Sequence, residues 1–398
     1  MQPLVQTSPF LVGTVIALLF AACAVSSDPS ADRASAQTAD SGALVQHASG
    51  FDIEQRDGFW LLTVTRPWLD ARSDLQYALV PRQERLGSEE ASAAVAAEIP
   101  RAATIIRTPV RSIATFSASF LTPLEILDAR ESWVGHDEPA RVYAEWARER
   151  VDSGMVTRLG DQTDVDIERL LTLQPDVVMI NEYEPDGPVS ARLAAAGLPV
   201  LVNGDWLETS PLGRAEWIKV FGLLYDRWEQ ALQRFAQIEQ SYSELRGLAA
   251  DTHARPTVLT NAPYGGVWSV PAGGSYTAQL LRDAGSDYLW DDSPGTGALH
   301  LDLEQVFLQA RDADVWINPG AWQTLADAAR QDPRLTVFEA YRDGRVYNFD
   351  RRITAAGGND YFESGPYRPD LVLADLTRIL HPYLLPDHEL HYYRRIAR

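Results

Sequence analysis

One phrase occurs twice in this chain. Residues 166–180 read DIERLLTLQPDVVMI and residues 302–317 read DLEQVFLQARDADVWI. Each copy is an acid, an aliphatic residue, Glu, a short amphipathic run, Asp, and then a strand of β-branched or aromatic residues. A helix that opens on an acid and feeds straight into a buried strand is half of an α/β unit, so two copies constrain the chain to two α/β lobes of similar plan. In each copy the glutamate, Glu168 or Glu304, falls in the first helical turn, where the macrodipole favours a carboxylate. Two such lobes present two matching acidic points, 136 residues apart in sequence.

The length of 398 residues and the 45% hydrophobic content suffice for two or three cores. A net charge of −20 argues against nucleic acid or an anionic membrane surface as partner, because both repel such a chain. Lys219 is the only lysine, leaving 34 arginines, and with the acidic surplus this bias suits a protein bathed in salt. At molar ionic strength charges are screened within ~3 Å, so the surplus acids need not repel one another.

Cys23 is the only cysteine, which excludes an intrachain disulfide. It follows the 12-residue run LVGTVIALLFAA (11–22), too short to span a bilayer but long enough for a signal-peptide core. Residues 24–50 are small and polar without periodicity and predict a flexible tether. From Phe51 to about residue 100, short alternating runs predict a small antiparallel β extension.

A first lobe is expected over 101–212, with strands SIATFS, SWVGHD, DVVMI and PVLVN, and a second over 251–398, with PTVLTN, SDYLW, DVWINPG and RVYNFD. Alternation with helical segments makes each lobe a doubly wound, Rossmann-like parallel sheet, which binds ligands at the carboxyl ends of its strands. Between the lobes, Trp217, Phe221, Leu224, Trp228, Leu232, Phe235, Ile238, Tyr242 and Leu245 recur at helical spacing without a proline. They predict one connecting helix over 213–250, and at 1.5 Å per residue it would reach roughly 50 Å. The same spacing fits a dimerising coiled coil, but the aromatic bulk favours packing on lobe surfaces, and a monomer is expected. Lobes joined by a helix rather than by flexible strands imply limited hinge motion and a largely preformed cleft.

This order of lobe, helix and lobe, together with the twin phrases, resembles the substrate-binding proteins of ABC importers, in the class with a helical backbone that serves cobalamin, ferric siderophores and haem. The resemblance covers roughly residues 101–398. It implies an extracytoplasmic protein that hands a small-molecule ligand to a permease dimer with its ATPase subunits, Glu168 and Glu304 each pairing with an arginine of one permease subunit. Phe20-Ala21-Ala22-Cys23 resembles a bacterial lipobox, with Phe in place of the usual Leu and no basic residue before the apolar run. That likeness implies lipidation at Cys23 and a periplasmic or cell-surface protein held to the membrane by its lipid alone. The stretch GGNDYFESGPYRPDLVLADLTRILHPYLLP (357–386) resembles a subgroup associated with iron or cobalamin transport.

A large planar or macrocyclic ligand calls for aromatic faces and a few orienting polar groups. The loops expected at the cleft offer Ser117, Phe120, Tyr183, Trp206, Tyr264, Trp268, Tyr276, Asp360, Tyr361 and Glu363, and Arg352 beside Arg351 offers charge to an anionic siderophore. Cobalamin, nearly neutral, asks mainly for aromatics and hydrogen bonds, and the residues do not separate the two. No resident cofactor is expected. A zinc- or manganese-binding transport protein is the alternative, for which His381, His388 and His391, with His136 and His300, have suitable donor types. An α/β enzyme is the reading from a different class; paired acids such as Asp291-Asp292 could do acid and base work, but such doublets are expected by chance among 55 acids, and the nucleophile-elbow, phosphate-loop and zinc-protease motifs are absent.

Overall fold

A computed structural model describes residues 44–398; the apolar leader run, Cys23 and residues 24–43 of the expected tether lie outside the described residues. Three strands, β1 (Phe51–Arg56), β2 (Phe59–Val64) and β3 (Leu75–Pro81), form the expected antiparallel meander. β1 buries Phe51 and Ile53 and exposes Asp52 and Glu54, the alternation of a strand with one face on a core. The extension reaches further than the sequence suggested. β4 (Thr104–Thr108), expected inside the first lobe, pairs parallel with β3. One face of this sheet sends Ile53, Leu62, Tyr77 and Ile106 into the first lobe's core. The other closes Phe59, Leu61, Ala78 and Val80 over Val95 of the helix Glu89–Glu98. The extension is therefore a wall of the first lobe.

In that lobe β5 (Ile113–Thr115), β6 (Trp133–His136), β7 (Thr157–Arg158), β8 (Val177–Ile180) and β9 (Val200–Val202) run parallel in the order β7-β6-β5-β8-β9. Every residue of β5, β8 and β9 is buried, which is why these strands read as unbroken apolar runs. The chain enters at the central strand β5, winds outward to β7, and returns to β8 on the other side of β5. The strand order thus reverses between β5 and β8, and a crevice opens at their carboxyl ends.

The second lobe repeats the plan. Its first strand is β10 (Thr257–Thr260), and β11 (Trp268–Pro271) stands apart in an antiparallel ribbon with the later β13 (Ala298–Leu301). With β12 (Asp287–Tyr288), β14 (Val315–Ile317), β15 (Val346–Asn348) and β16 (Arg394–Arg395), β10 makes a sheet of order β12-β10-β14-β15-β16, parallel except for β16. The reversal here lies between β10 and β14. The residues that follow these two strands, Asn261 and Asn318, both adopt left-handed backbone (φ 59° and 58°), a conformation asparagine tolerates better than most residues.

The connector is helical but is not a single rod. It comprises Pro211–Glu216, Ile218–Leu224 and Trp228–Ala250, with a break in which Asp226 takes a positive φ of 55°. All seven residues of the middle piece are buried, as expected of a helix that is apolar almost all round. Such a piece cannot lie across lobe surfaces. Gly222 lets the last piece approach, since a Cβ there would come within 2.5 Å of the Ala231 methyl. The final 23 residues, about 35 Å long, join the lobes. Their first half gives Ala231, Phe235 and Ile238 to the first core, and their second half gives Tyr242 to the second.

The tether also ends earlier than expected. Residues 46–50 hang from two buried carboxylates. Glu216 accepts the amides of Gln46 (2.9 Å), His47 (2.7 Å) and Ala48 (2.7 Å), and Glu208 accepts those of Ser49 (3.0 Å) and Gly50 (2.8 Å). Lys219 completes the clamp, its ammonium donating to Glu216 (2.5 Å) and to the carbonyl of Leu44 (2.9 Å).

Candidate functional site between the lobes

The loops leaving β8 and β9 are cross-linked by short polar side chains. Asn181 Nδ2 donates to the Asn203 carbonyl (2.8 Å) and to Asp205 Oδ1 (2.9 Å), and the Asp205 amide donates back to Asn203 Oδ1 (2.9 Å). This lattice fixes the Asp205 carboxylate, which is fully buried. Tyr183 leans its ring on Trp206 at 5.0 Å and turns its hydroxyl toward Asn181 Oδ1 (3.4 Å), leaving the ring edge open to solvent.

Arg214 brings the second lobe to this cluster. It projects from the first piece of the connector, with Nε 3.6 Å from Asp205 Oδ2 and its guanidinium 5.6 Å from the ring centre of Tyr276, which opens the second lobe's helix Tyr276–Asp283. Tyr361 lies close enough to interact electrostatically with both Tyr276 and Arg214, and stacks on Phe349 at 4.6 Å. Burial pushes the Asp205 carboxyl up, against the pull of Arg214 and Asn181. Burial, then the nearby Asp205 charge, pushes the Tyr183 hydroxyl up to about 12, so it stays a neutral donor. Several polar atoms here have no hydrogen-bond partner, among them Trp206 Nε1, Asp205 Oδ2, Arg214 Nε and Tyr367 Oη. Such capacity at a crevice is what a ligand's polar groups can satisfy.

Beside the cluster lies a cavity of about 430 Å³ whose walls include Tyr143, Trp146, Arg352, Asp360 and Glu363. Three residues that the sequence offered to a ligand serve here to hold the molecule together. Arg352 Nε donates to Asp360 Oδ2 (2.5 Å), and its guanidinium covers the Tyr143 ring at 5.0 Å. Asp360 also accepts Ser364 Oγ (2.7 Å). Glu363, on the second lobe, accepts the amides of Tyr143 (2.5 Å) and Ala144 (2.9 Å) on the first. Burial, reinforced by the Asp360 and Glu125 charges and opposed by those two amides, pushes the Glu363 carboxyl up to about 7.

The other expected residues divide plainly. Tyr183, Trp206, Tyr276 and Tyr361 are brought together, and Ser117 follows β5 at the first lobe's crevice, its hydroxyl 2.9 Å from that of Ser119. Phe120 and Trp268 are corrections. Both are fully buried, Phe120 in the first core 6.2 Å from Phe221 and Trp268 in the second, stacked on Trp316 at 5.5 Å. Neither presents a face to a ligand. Tyr264 is 92% exposed at the tip of the turn before β11 and touches nothing in the cluster. Asn181 and Asp205 fall in loops expected at the strand ends, 181–183 and 204–206, but Arg214 was not foreseen. Asn181 directly follows the buried β8 and Asp205 stands three residues past the end of the buried β9, whereas Arg214 lies in what reads as an ordinary helix start.

The histidines do not converge. His388 bonds Asp375 (2.7 Å), His381 bonds the Gly285 carbonyl (3.1 Å), and His136 is held by Thr115 (2.9 Å) and Asp137 (3.1 Å). Among the described residues, no group of three or more His, Cys, Asp or Glu stands in metal-holding arrangement.

At the lobe tips the twin phrases fold alike. Asp166 caps the helix Ile167–Leu173 by accepting the Arg169 amide (2.9 Å), and Asp302 caps Leu303–Ala310 by accepting the Gln305 amide (2.7 Å). Glu168 and Glu304 are both exposed one position into these helices. Each helix begins on the side where the preceding strands end, so both glutamates stand on the crevice side of their lobes. Glu304 additionally meets Arg334 at 3.2 Å. No helix among the described residues is long and apolar enough to cross a membrane.

A family model described as periplasmic binding protein matches residues 113–353, from the first residue of β5 to just beyond β15. An uncharacterized lipoprotein of Methanocaldococcus jannaschii is 24% identical over 298 residues, 73% of this chain and 69% of the relative. Among solved structures, a possible iron-binding periplasmic solute-binding protein of Staphylococcus epidermidis superposes with TM-score 0.55 at 16% identity, covering 69% of this chain and 100% of its own. CeuE of Helicobacter pylori with Ni(II) bound gives 0.54 at 14% identity, covering 71% and 88%. The periplasmic vitamin B12 binding protein BtuF of Vibrio cholerae gives 0.51 at 16% identity, covering 68% and 97%. At such identities the structural likeness concerns the fold.

Proposed function

Because the chain belongs to the periplasmic binding protein family, whose members are the extracytoplasmic solute-binding components of ABC importers, we propose that it captures an iron complex or a corrinoid between its lobes and delivers it to a permease. The observation that carries this reading is the two-lobed cluster of Tyr183, Trp206, Tyr276 and Tyr361 around the buried Asp205–Arg214 pair. Aromatic faces suit a large, flat or macrocyclic complex, and the unpartnered Trp206 Nε1 and Asp205 Oδ2 supply orienting polar atoms. The helix shared by both cores supports delivery with small lobe movements. In this proposal Glu168 and Glu304 pair with permease arginines, and acylated Cys23 holds the protein at the membrane. The lipoprotein name of the archaeal relative supports that anchor.

Calorimetric titration of the protein with cobalamin, ferric siderophores, haem and zinc, with tryptophan fluorescence as a second readout, tests the reading. Saturable submicromolar binding of one iron or cobalt complex, weakened at least ~10-fold by Trp206→Ala, is the expected result. Binding of zinc alone would overturn it.

A further inference from the structure

We infer that the ligand taken between the lobes is electrically neutral or cationic, and that polyanionic complexes are excluded. This inference rests on the ligand-binding reading above. Four guanidiniums line the site and its flanking cavity: Arg148 shares the cavity wall with Glu145 and Glu149, and the other three are paired by the chain itself, Arg130 with Glu125 at 2.8 Å, Arg214 with Asp205 at 3.6 Å and Arg352 with Asp360 at 2.5 Å. An anionic ligand would have to take the last two guanidiniums from partners fixed by other bonds. Asp205 is held by Asn181, and Asp360 by Ser364.

The remaining charge at the crevice is negative. Asp137 follows β6 and is partly open to solvent. Its neighbour His136 does not neutralise it, because burial pushes that imidazole below its usual range and keeps it uncharged. Glu182, directly after β8, is fully buried, with one carboxylate oxygen accepting the Ser190 amide (2.9 Å) and the other without a partner. The flanking cavity is walled by three guanidiniums and five carboxyl groups. A ligand bearing several negative charges would therefore enter a partly desolvated site in which carboxyl groups outnumber guanidiniums, where each unit of repulsion at several ångströms is worth roughly a factor of ten or more. A neutral corrinoid or ferric trihydroxamate meets no such penalty, and a monocationic complex is attracted.

The test titrates the full-length protein at moderate salt with four probes: neutral cyanocobalamin, neutral ferrichrome, monocationic ferrioxamine B and the trianionic ferric tris-catecholate enterobactin. The expected result is saturable binding of a neutral or cationic complex, with the trianion weaker by at least ~100-fold. Asp205→Asn, isosteric and able to keep its bond to Asn181, frees the Arg214 charge and narrows that gap by roughly tenfold. Asp137→Asn, at a partly exposed position where folding is not at stake, narrows it in the same direction. Tight binding of the trianion overturns the inference and leaves the ligand-binding reading standing. Should Arg351→Ala then abolish that binding, the exposed Arg351 sets the charge preference instead. Silence toward all four probes overturns the reading and the inference together.

Discussion

Replacing Glu216 by alanine isolates the energy of the clamp that holds residues 44–50. The carboxylate is fully buried and accepts the amides of Gln46, His47 and Ala48 as well as the ammonium of Lys219, the only lysine of the chain. Without it, a buried ammonium beside the Phe235 ring (4.8 Å) keeps only the Leu44 carbonyl as hydrogen-bond partner. Breaking a buried pair in this way costs about 3–5 kcal/mol, with the lower end favoured here because residues 44–48 can peel away and return their amides to water. Lys219→Met added to Glu216→Ala should restore part of the loss, since the stranded charge is its main component. The pH dependence has a definite sign. Burial pushes the Glu216 carboxyl up, but Lys219 and the three amides outweigh it and hold the carboxyl below its usual value of 4.5. Its contribution is therefore complete above about that pH and is lost as pH falls through the lowered value. Urea unfolding gives the energies, and hydrogen exchange at residues 44–50 reports the clamp directly. A loss below ~1 kcal/mol, or a double variant worse than the single by the full cost of Lys219→Met, would refute the reasoning.

Three further expectations follow from the same structure. Glu363, raised to about 7 by burial, takes up a proton on folding between its ordinary 4.5 and that value. Stability should thus fall as pH rises through this window, by at most ~3 kcal/mol, and the slope should vanish in Glu363→Gln; equal slopes in melting series over this range would remove the assignment. Phe120→Ala, in a fully buried position, should cost about 3–5 kcal/mol of stability, whereas Tyr183→Ala should leave stability within ~1 kcal/mol and weaken ligand binding at least ~5-fold, as measured by urea midpoints beside calorimetry. Charge reversal at both Glu168 and Glu304 should abolish uptake by vesicles carrying the cognate importer with ligand affinity unchanged; lost affinity would instead assign the pair to the fold.

The lobes and their central strands were legible from sequence because β5, β8, β9 and β14 are short, buried along their whole length and bounded by polar loops, whereas the two-residue edge strands β7 and β16, Thr-Arg and Arg-Arg, carry no such signal. The twin glutamates were legible for a related reason: a cap, an acid and a buried strand are local features, repeated. What escaped was every choice made between distant segments. That β4 belongs to the extension depends on its register with β3, and Phe120 and Trp268 look like cleft aromatics until the cores close over them. The aromatic stripe through the connector has helical period on both sides of Asp226, so periodicity runs across a break that only a positive φ and packing of the pieces reveal. Residues 44–50 carry no periodicity because their order comes from Glu208, Glu216 and Lys219, more than 150 residues away. Arg214 belongs with these cases. Sequence by itself determined which segments become helix and strand and where the acids cap them, since those preferences act over a few residues. Only the tertiary structure decided which carboxylate neutralises which guanidinium, because a charge buried between lobes takes its partner from whichever part of the chain the fold brings within reach.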